Sequence, residues 1–340
     1  MQRAYITEPG HMEIREGERP LPKAHELLVK VAYCGICTLE QRLFLGKRTI
    51  YYPIIPGHEA SGTVVAIGSD VVSNHCIGDH VALDLVTRCH ICPPCLSGNS
   101  NLCEMRHRKE QSVLGAFSEY MTVKPDQAHL LPKELPLEHA AFTEPLACCI
   151  RSLGKVRLEA GETILILGAG TMGLLHMKLA QAMGARAIVC DIIAERLDFA
   201  RKLGSYAAID GSDPIRFHQE IQALTTGRGV DCCIITSPAA QASVLAFQSL
   251  APAGRLNIFT SYDDKPPFPI DMNTVHRSEF QITGSEGRSE LDFSQAVRVL
   301  SNHTIEVGQL ISKIYPLADV EDAMAAALEK ASYRILIHME

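Results

Sequence analysis

The stretch TILILGAGTMG, residues 163–173, decides the fold predicted for the second half of the chain. Its first five residues form a continuous β-prone apolar run, as expected for a strand that helices cover on both faces. Gly168, Gly170 and Gly173 follow with the spacing G-x-G-x-x-G, which permits a tight turn, close backbone approach to a pyrophosphate and close helix–strand packing. A helix is predicted over residues 174–183, ending at Gly184. This order predicts a dinucleotide-binding unit.

The segment after this helix predicts which dinucleotide binds. A second strand over residues 187–191 ends in Asp191, whose carboxylate can accept hydrogen bonds from adenosine ribose hydroxyls and would repel a 2′-phosphate. NAD is therefore favoured over NADP. Thr171 and Met172, between the second and third glycines, are also predicted to bind the cofactor, and the N-terminus of the following helix offers free N–H groups to the phosphates. Arg196 completes the predicted cofactor-binding set, although such an arginine can also lie along the adenine or on a solvated helix face.

Strand-like runs continue on both sides of this unit and predict two domains. Residues 148–287 alternate strands and helices, which predicts a Rossmann-type, doubly wound parallel sheet in an α/β domain. Residues 1–147 contain short strands and frequent glycines, and residues 288–340 return to this β-rich domain. The predicted elements outside the fingerprint are strands at 27–32, 62–67, 230–235, 255–259, 280–282 and 333–338, a turn leading into a strand at 78–81, and helices at 291–300 and 320–328.

Composition excludes several classes of partner. The chain has 340 residues, of which 46% are hydrophobic, and a formal net charge of −7, which argues against nucleic acid or an anionic membrane as the main partner. No run of 18 apolar residues could cross a bilayer. Since no apolar leader opens the sequence, we expect a cytoplasmic protein with reduced thiols.

Four cysteines lie close together with the spacing C-x2-C-x2-C-x7-C, at Cys89, Cys92, Cys95 and Cys103. Two-residue loops allow successive thiolates to converge on one tetrahedral zinc ion. The surrounding residues are rich in Pro, Gly, Ser and Asn, which makes the segment poor core material. Structural zinc is therefore favoured over disulfides or buried core thiols.

A second set of candidate metal ligands lies upstream. Cys37, His58 and Glu59 offer a thiolate, an imidazole and a carboxylate, which would leave one zinc position open to polarise a bound alcohol. Two other interpretations remain at this point. Cys34 and Cys37 form a CxxC pair that could bind one metal or act in redox chemistry, and His58 could be a structural histidine.

Together these motifs resemble the zinc-dependent medium-chain dehydrogenase family, which includes alcohol, sorbitol and threonine dehydrogenases. The likeness covers essentially the whole chain and rests on the two cysteine motifs, the glycine fingerprint followed by Asp191, and the segments GHEASG (57–62), GDHV (78–81) and TEPLA (143–147). It implies a Rossmann domain plus a β-rich GroES-like catalytic domain, a small-molecule alcohol substrate, and a homodimer or homotetramer.

The resemblance also assigns roles to individual residues. It implies that Cys37 and His58 bind a catalytic zinc, with Glu59 as a ligand or close partner, and that the four clustered cysteines bind a structural zinc. Glu144 stands where the alcohol branch has a cysteine, and it would bind zinc directly or through water. Cys148, four residues later, is a competing ligand.

One segment departs from the family pattern, in which Gly, Ser or Thr, Asp, any residue and His follow the zinc cysteine. Here Leu39 replaces the hydroxyl that relays the substrate proton, and Arg42 replaces the relay histidine. Thr38 could take over the proton transfer, or water with Glu59 or Glu144 could do so. Arg42, Lys47 and Arg48 could bind a substrate carboxylate or phosphate, or form a solvated basic loop.

The sequence therefore predicts a zinc-dependent enzyme that transfers hydride between NAD and a secondary alcohol of a polyol, sugar or sugar acid. A first alternative is a threonine or other hydroxy-amino-acid dehydrogenase, in which Glu40 would bind the ammonium group. A second alternative is a non-catalytic NAD-binding regulator on the same fold, suggested by Leu39 at the relay position.

Overall fold

A computed structural model describes residues 1–48, 51–106, 114–262 and 270–339. The chain divides into two compact units. The first comprises Met1–Ala147 with Arg288–Glu340, and the second comprises Cys148–Gly287.

Strands and helices are numbered in chain order. The strands are β1 (Gln2–Glu8), β2 (His11–Glu16), β3 (Leu27–Ile36), β4 (Glu59–Ile67), β5 (His80–Leu83), β6 (Tyr120–Val123), β7 (Ala128–Leu131), β8 (Thr163–Leu167), β9 (Arg186–Asp191), β10 (Ala207–Asp210), β11 (Val230–Ile235), β12 (Leu250–Ile258), β13 (Gln281–Gly284), β14 (Ile311–Pro316) and β15 (Arg334–His338). The helices are α1 (Thr38–Phe44), α2 (Pro93–Leu96), α3 (Leu137–Ala140), α4 (Thr143–Lys155), α5 (Thr171–Ala182), α6 (Ala194–Lys202), α7 (Pro214–Leu224), α8 (Ala240–Ser249), α9 (Met272–Ser278), α10 (Glu290–Ser301) and α11 (Val320–Leu328).

The second unit is a parallel sheet with the strand order β10-β9-β8-β11-β12-β13. All five residues of β8 are buried, which explains its uninterrupted apolar sequence. The predicted doubly wound Rossmann fold is confirmed. Two boundaries in this unit differ from the prediction by three residues or more. Helix α5 begins at Thr171, because Gly170 already serves as its N-cap, and β12 begins at Leu250, five residues earlier than the run 255–259.

The first unit contains the second large sheet, with the order β14-β15-β3-β4-β5-β7, and β6 also pairs with β3. Its pairings are antiparallel except for β14 with β15. Buried side chains such as Phe117, Leu27, Ile36 and Leu43 form its core. The β-rich domain predicted from short strands and glycines is confirmed.

Strand register in this sheet brings distant parts of the sequence together. Strand β3 ends one residue before Cys37, and β4 begins one residue after His58. Because Gly35 pairs with Glu59 in antiparallel register, these two strand ends meet. Strand β15 pairs with the other edge of β3, which places Arg334 beside the same strand end. In the part of the chain that the structure describes, no helix is both long enough and apolar enough to cross a membrane.

Candidate active site and metal centres

Cys37, His58 and Glu59 converge at the end of β3 in the first unit. The ligand atoms of these three residues all lie within 4.8 Å of one another. Cys37 Sγ is 3.7 Å from His58 Nε2. A sulfur and a nitrogen on one tetrahedral zinc lie about 3.6 Å apart, given the usual bond lengths. The separation therefore suits a shared zinc ion.

Glu40 orients the imidazole of His58. The Glu40 side chain is fully buried, and its Oε1 lies 2.7 Å from His58 Nδ1. The same carboxylate accepts hydrogen bonds from the backbone N–H groups of Cys37 (3.1 Å) and Gly57 (3.2 Å). A carboxylate at Nδ1 leaves Nε2 as the metal-binding nitrogen.

This arrangement corrects one expectation from the sequence. Glu40 cannot bind a substrate ammonium, because its carboxylate is inaccessible and already holds His58. Its positioning role was missed, although the spacing of a cap residue and an acidic residue three positions later offered a signal. Cys37 is the N-cap of α1, and Cys37 and Glu40 form a capping box.

The electrostatics of the cluster favour a bound cation. Burial and the neighbouring Glu40 raise the pKa of the Cys37 thiol to about 12. Burial opposes a charge on His58, but Glu40 and Cys37 outweigh that effect and raise its pKa well above the ordinary value. Burial also raises the pKa of Glu59 to about 7, against the lowering effect of Arg334. A thiol with so high a pKa ionises when a metal compensates its charge.

Two buried arginines pair with the carboxylates of this region. Arg334 Nη2 lies 3.1 Å from Glu59 Oε1, and Arg334 Nη1 donates to the carbonyl of Ile36 at 2.7 Å. Arg288 Nη1 donates to Glu144 Oε1. Glu144 Oε1 is 4.0 Å from His58 Nε2, and Glu144 is not part of the three-residue group. Neither arginine was predicted from the sequence as part of the site.

The other residues considered from the sequence do not belong to this three-residue group. Thr38 is exposed in the first turn of α1, and Leu39 is half-buried and packs against the core of the first unit. Arg42 is half-buried, while Lys47 and Arg48 are exposed. Cys34 and Cys148 are buried, and among the described residues neither joins a group of three or more candidate metal ligands.

The four clustered cysteines form a second centre in the first unit. The sulfur atoms of Cys89, Cys92, Cys95 and Cys103 all lie within 4.8 Å of one another. Cys92 Sγ and Cys103 Sγ are 4.0 Å apart, close to the about 3.8 Å expected for two thiolates on one zinc and far from a disulfide bond length. Backbone N–H groups lower the pKa of Cys89 to about 6, which favours the thiolate. A third group, His90, Asp126 and Glu290, is largely exposed.

The second unit contains the predicted fingerprint. Gly168 has φ +112°, a conformation that glycine adopts without strain, and Gly170 precedes the first turn of α5, where no side chain caps the N–H groups. Asp191 Oδ2 accepts a hydrogen bond from the backbone of Ala169 at 2.7 Å, so the acidic residue lies against the glycine turn. Arg196 Nη1 lies 3.7 Å from the same oxygen.

Comparisons with known proteins agree with this architecture. Residues 23–133 match the family model of the alcohol dehydrogenase GroES-like domain, and residues 171–302 match that of the zinc-binding dehydrogenases. The chain is 31% identical over 332 residues to a probable D-xylulose reductase A of Emericella nidulans, covering 94% of this chain and 91% of that protein. It is 30% identical over 339 residues to the D-arabitol-phosphate dehydrogenase of Enterococcus avium, covering 97% and 95%.

A solved structure is similar over the full length. It is described as a short chain alcohol dehydrogenase from Escherichia coli complexed with NADH, and it superimposes with a TM-score of 0.89 at 28% identity, covering 100% of this chain and 99% of that one. A GroES-like domain followed by a dinucleotide-binding domain defines a zinc-binding dehydrogenase. The chain belongs to the zinc-dependent medium-chain dehydrogenase family, which confirms the resemblance seen in the sequence.

Proposed function

We propose that this protein transfers hydride between NAD and a secondary alcohol of a polyol, sugar or sugar acid. The convergence of Cys37, His58 and Glu59, with ligand atoms within 4.8 Å, is the observation that carries the proposal. The activities named for its relatives, a xylulose reductase and an arabitol-phosphate dehydrogenase, support a polyol or a polyol phosphate as substrate.

The proposed roles divide between the two units. Cys37, His58 and Glu59 would hold the catalytic zinc, and Cys89, Cys92, Cys95 and Cys103 would hold the structural zinc. The catalytic zinc supplies a Lewis acid that lowers the pKa of a substrate hydroxyl. The nucleotide-binding residues would be Gly168, Gly170, Thr171, Met172, Gly173, Asp191 and Arg196, and NAD accepts the hydride. Unit one would be the catalytic domain, and unit two the dinucleotide-binding domain.

Side chains of the protein orient the proposed zinc ligands and transfer the substrate proton. Glu40 fixes His58 with Nε2 toward Cys37 Sγ, and Arg334 holds Glu59. Because Leu39 cannot transfer a proton, we assign that step to the exposed hydroxyl of Thr38, which directly follows Cys37.

Zinc content and turnover test this proposal together. The holoprotein should contain two zinc ions per chain and should form NADH with at least one member of a panel of polyols, sugar acids, polyol phosphates and threonine. Cys37→Ser and His58→Ala should each lose one zinc and at least about 10²-fold in kcat/KM. Cys76→Ser, which changes an exposed cysteine outside both clusters, is the matched control. It should keep two zinc ions per chain and the wild-type kcat/KM.

Other outcomes would contradict the proposal in distinct ways. NAD binding with one zinc and no turnover would favour the regulator. Turnover of threonine alone would favour the hydroxy-amino-acid activity.

We also propose a cytoplasmic location and a homodimer or homotetramer. Among the described residues no cysteine forms a disulfide bond, which agrees with a reducing compartment. Size-exclusion chromatography with light scattering tests the assembly, since a monomeric mass would contradict it.

A further inference from the structure

A chain of buried charges leads from the cysteine-rich lobe to the candidate active site. Arg88, which precedes Cys89, donates from Nη1 to Asp84 Oδ2 at 2.7 Å. Asp84 Oδ1 lies 3.0 Å from Arg288 Nη2, and Arg288 Nη1 donates to Glu144 Oε1. These four side chains are at most 7% exposed. Removal of one partner from such a buried pair is strongly unfavourable, because it leaves an uncompensated charge away from water.

The oxygen that Arg288 binds is the one that faces the proposed zinc site. Glu144 Oε1 is 4.0 Å from His58 Nε2, whereas a nitrogen and an oxygen on one tetrahedral zinc lie about 3.3 Å apart. Glu144 therefore lies just outside ligand distance, and the Arg288 guanidinium is in contact with its metal-facing oxygen. A cation in the site and Arg288 would compete for the same carboxylate.

We propose that Arg288 is a positioning residue that holds Glu144 outside the coordination shell of the zinc and thereby leaves a position for the substrate hydroxyl. This inference rests on the proposed zinc site of Cys37, His58 and Glu59. Asp84 and Arg88 hold Arg288 in place: besides the contacts above, Arg88 Nη2 donates to the carbonyl of Arg288 at 3.1 Å. Arg334, the other buried arginine near this site, is already paired with Glu59.

The proposal predicts that removal of the Arg288 charge slows zinc release, whereas a general loss of structure would speed it. In Arg288→Met, Glu144 loses its cationic partner and should close onto the zinc. The rate at which the catalytic zinc passes to a chromogenic chelator should therefore fall about tenfold, while kcat falls as the open position is lost. A residue with a merely structural role would make the zinc leave faster. The double variant Arg288→Met with Glu144→Gln should release zinc at least as fast as the wild type.

Two further variants serve as controls for the zinc-release measurement. Arg255→Met removes a comparable arginine–carboxylate pair, with Glu162, from the other unit and should leave zinc release unchanged. Arg288→Lys keeps the charge and should release zinc at a rate within about twofold of the wild type, even if the methionine variant does not fold. Release from either folded Arg288 variant that is clearly faster than from the wild type overturns the proposal. Failure of the proposed zinc site is a separate result, because Cys37→Ser would then have the same zinc content as the wild type.

Discussion

Glu40 contacts three nitrogen atoms at the start of α1 and the end of the loop before β4. Its two oxygens accept from the backbone of Cys37 and Gly57 and contact His58 Nδ1. The carboxylate therefore fixes both the helix that begins after Cys37 and the orientation of the histidine. Glu40 is therefore a positioning residue of the site.

Glu40→Gln should weaken zinc binding at this site by about 10- to 100-fold, because a neutral amide no longer supports the imidazole. Competition with a chelator of known affinity measures the change. Glu40→Asp is the matched control, since it keeps the charge, and it should bind zinc more tightly than the glutamine variant. Equal zinc affinity in Glu40→Gln and the wild type would remove Glu40 from this role.

Thr38→Val tests the proton path. If the Thr38 hydroxyl transfers the proton, kcat should fall about 10²-fold, whereas zinc content stays at the wild-type level. Thr38→Ser keeps a hydroxyl and should retain most of the activity. An unchanged kcat in the valine variant, across the pH range of activity, would assign the proton to Glu59, Glu144 or water instead.

In the turn between β8 and α5, Gly170 and Gly173 have different surroundings at the position of a Cβ atom. A Cβ on Gly173 would lie 1.8 Å from the carbonyl oxygen of Gly168, so a side chain there forces the backbone apart. A Cβ on Gly170 would approach the protein no closer than 3.9 Å, at Arg196 Nη1. The space in front of Gly170 is therefore available to a ligand.

This difference predicts separate effects on stability and binding. Gly173→Ala should lower the free energy of unfolding by about 3 kcal/mol. Gly170→Ala should leave it almost unchanged but weaken NADH binding at least tenfold, because its methyl group occupies the approach to the pyrophosphate. Denaturant titration and NADH fluorescence measure the two quantities. Similar stability losses in both variants, with NADH affinity unchanged in Gly170→Ala, would contradict this account of the turn.

Local patterns predicted strand β8, the glycine turn and helix α5, because these elements follow one another in sequence. The same patterns could not give the register between β3 and β4, which pairs Gly35 with Glu59. Nor could they show that Arg334 and Arg288, far along the chain, return to Glu59 and Glu144. The partners of these buried ion pairs are far apart in the sequence. They come together only when the sheet has formed, so a short stretch of sequence cannot predict the pairs.

The cysteine-rich lobe ties the stability of the first unit to its metal content. Cys95→Ser removes one of four thiolates, so the structural zinc should be lost and the free energy of unfolding should fall by more than about 3 kcal/mol. Cys76→Ser should change neither quantity. If Cys95→Ser kept two zinc ions per chain and full stability, the four cysteines would not form a structural zinc site.

The central claim is that Cys37, His58 and Glu59 bind the ion that performs the chemistry. An anomalous difference map of the holoprotein, recorded at the zinc absorption edge, tests it most directly. The account predicts two peaks in each chain, one among the four cysteines and one bounded by Cys37 Sγ, His58 Nε2 and the Glu59 carboxylate. A map with a peak in the cysteine lobe and no density between Cys37 and His58 would contradict it.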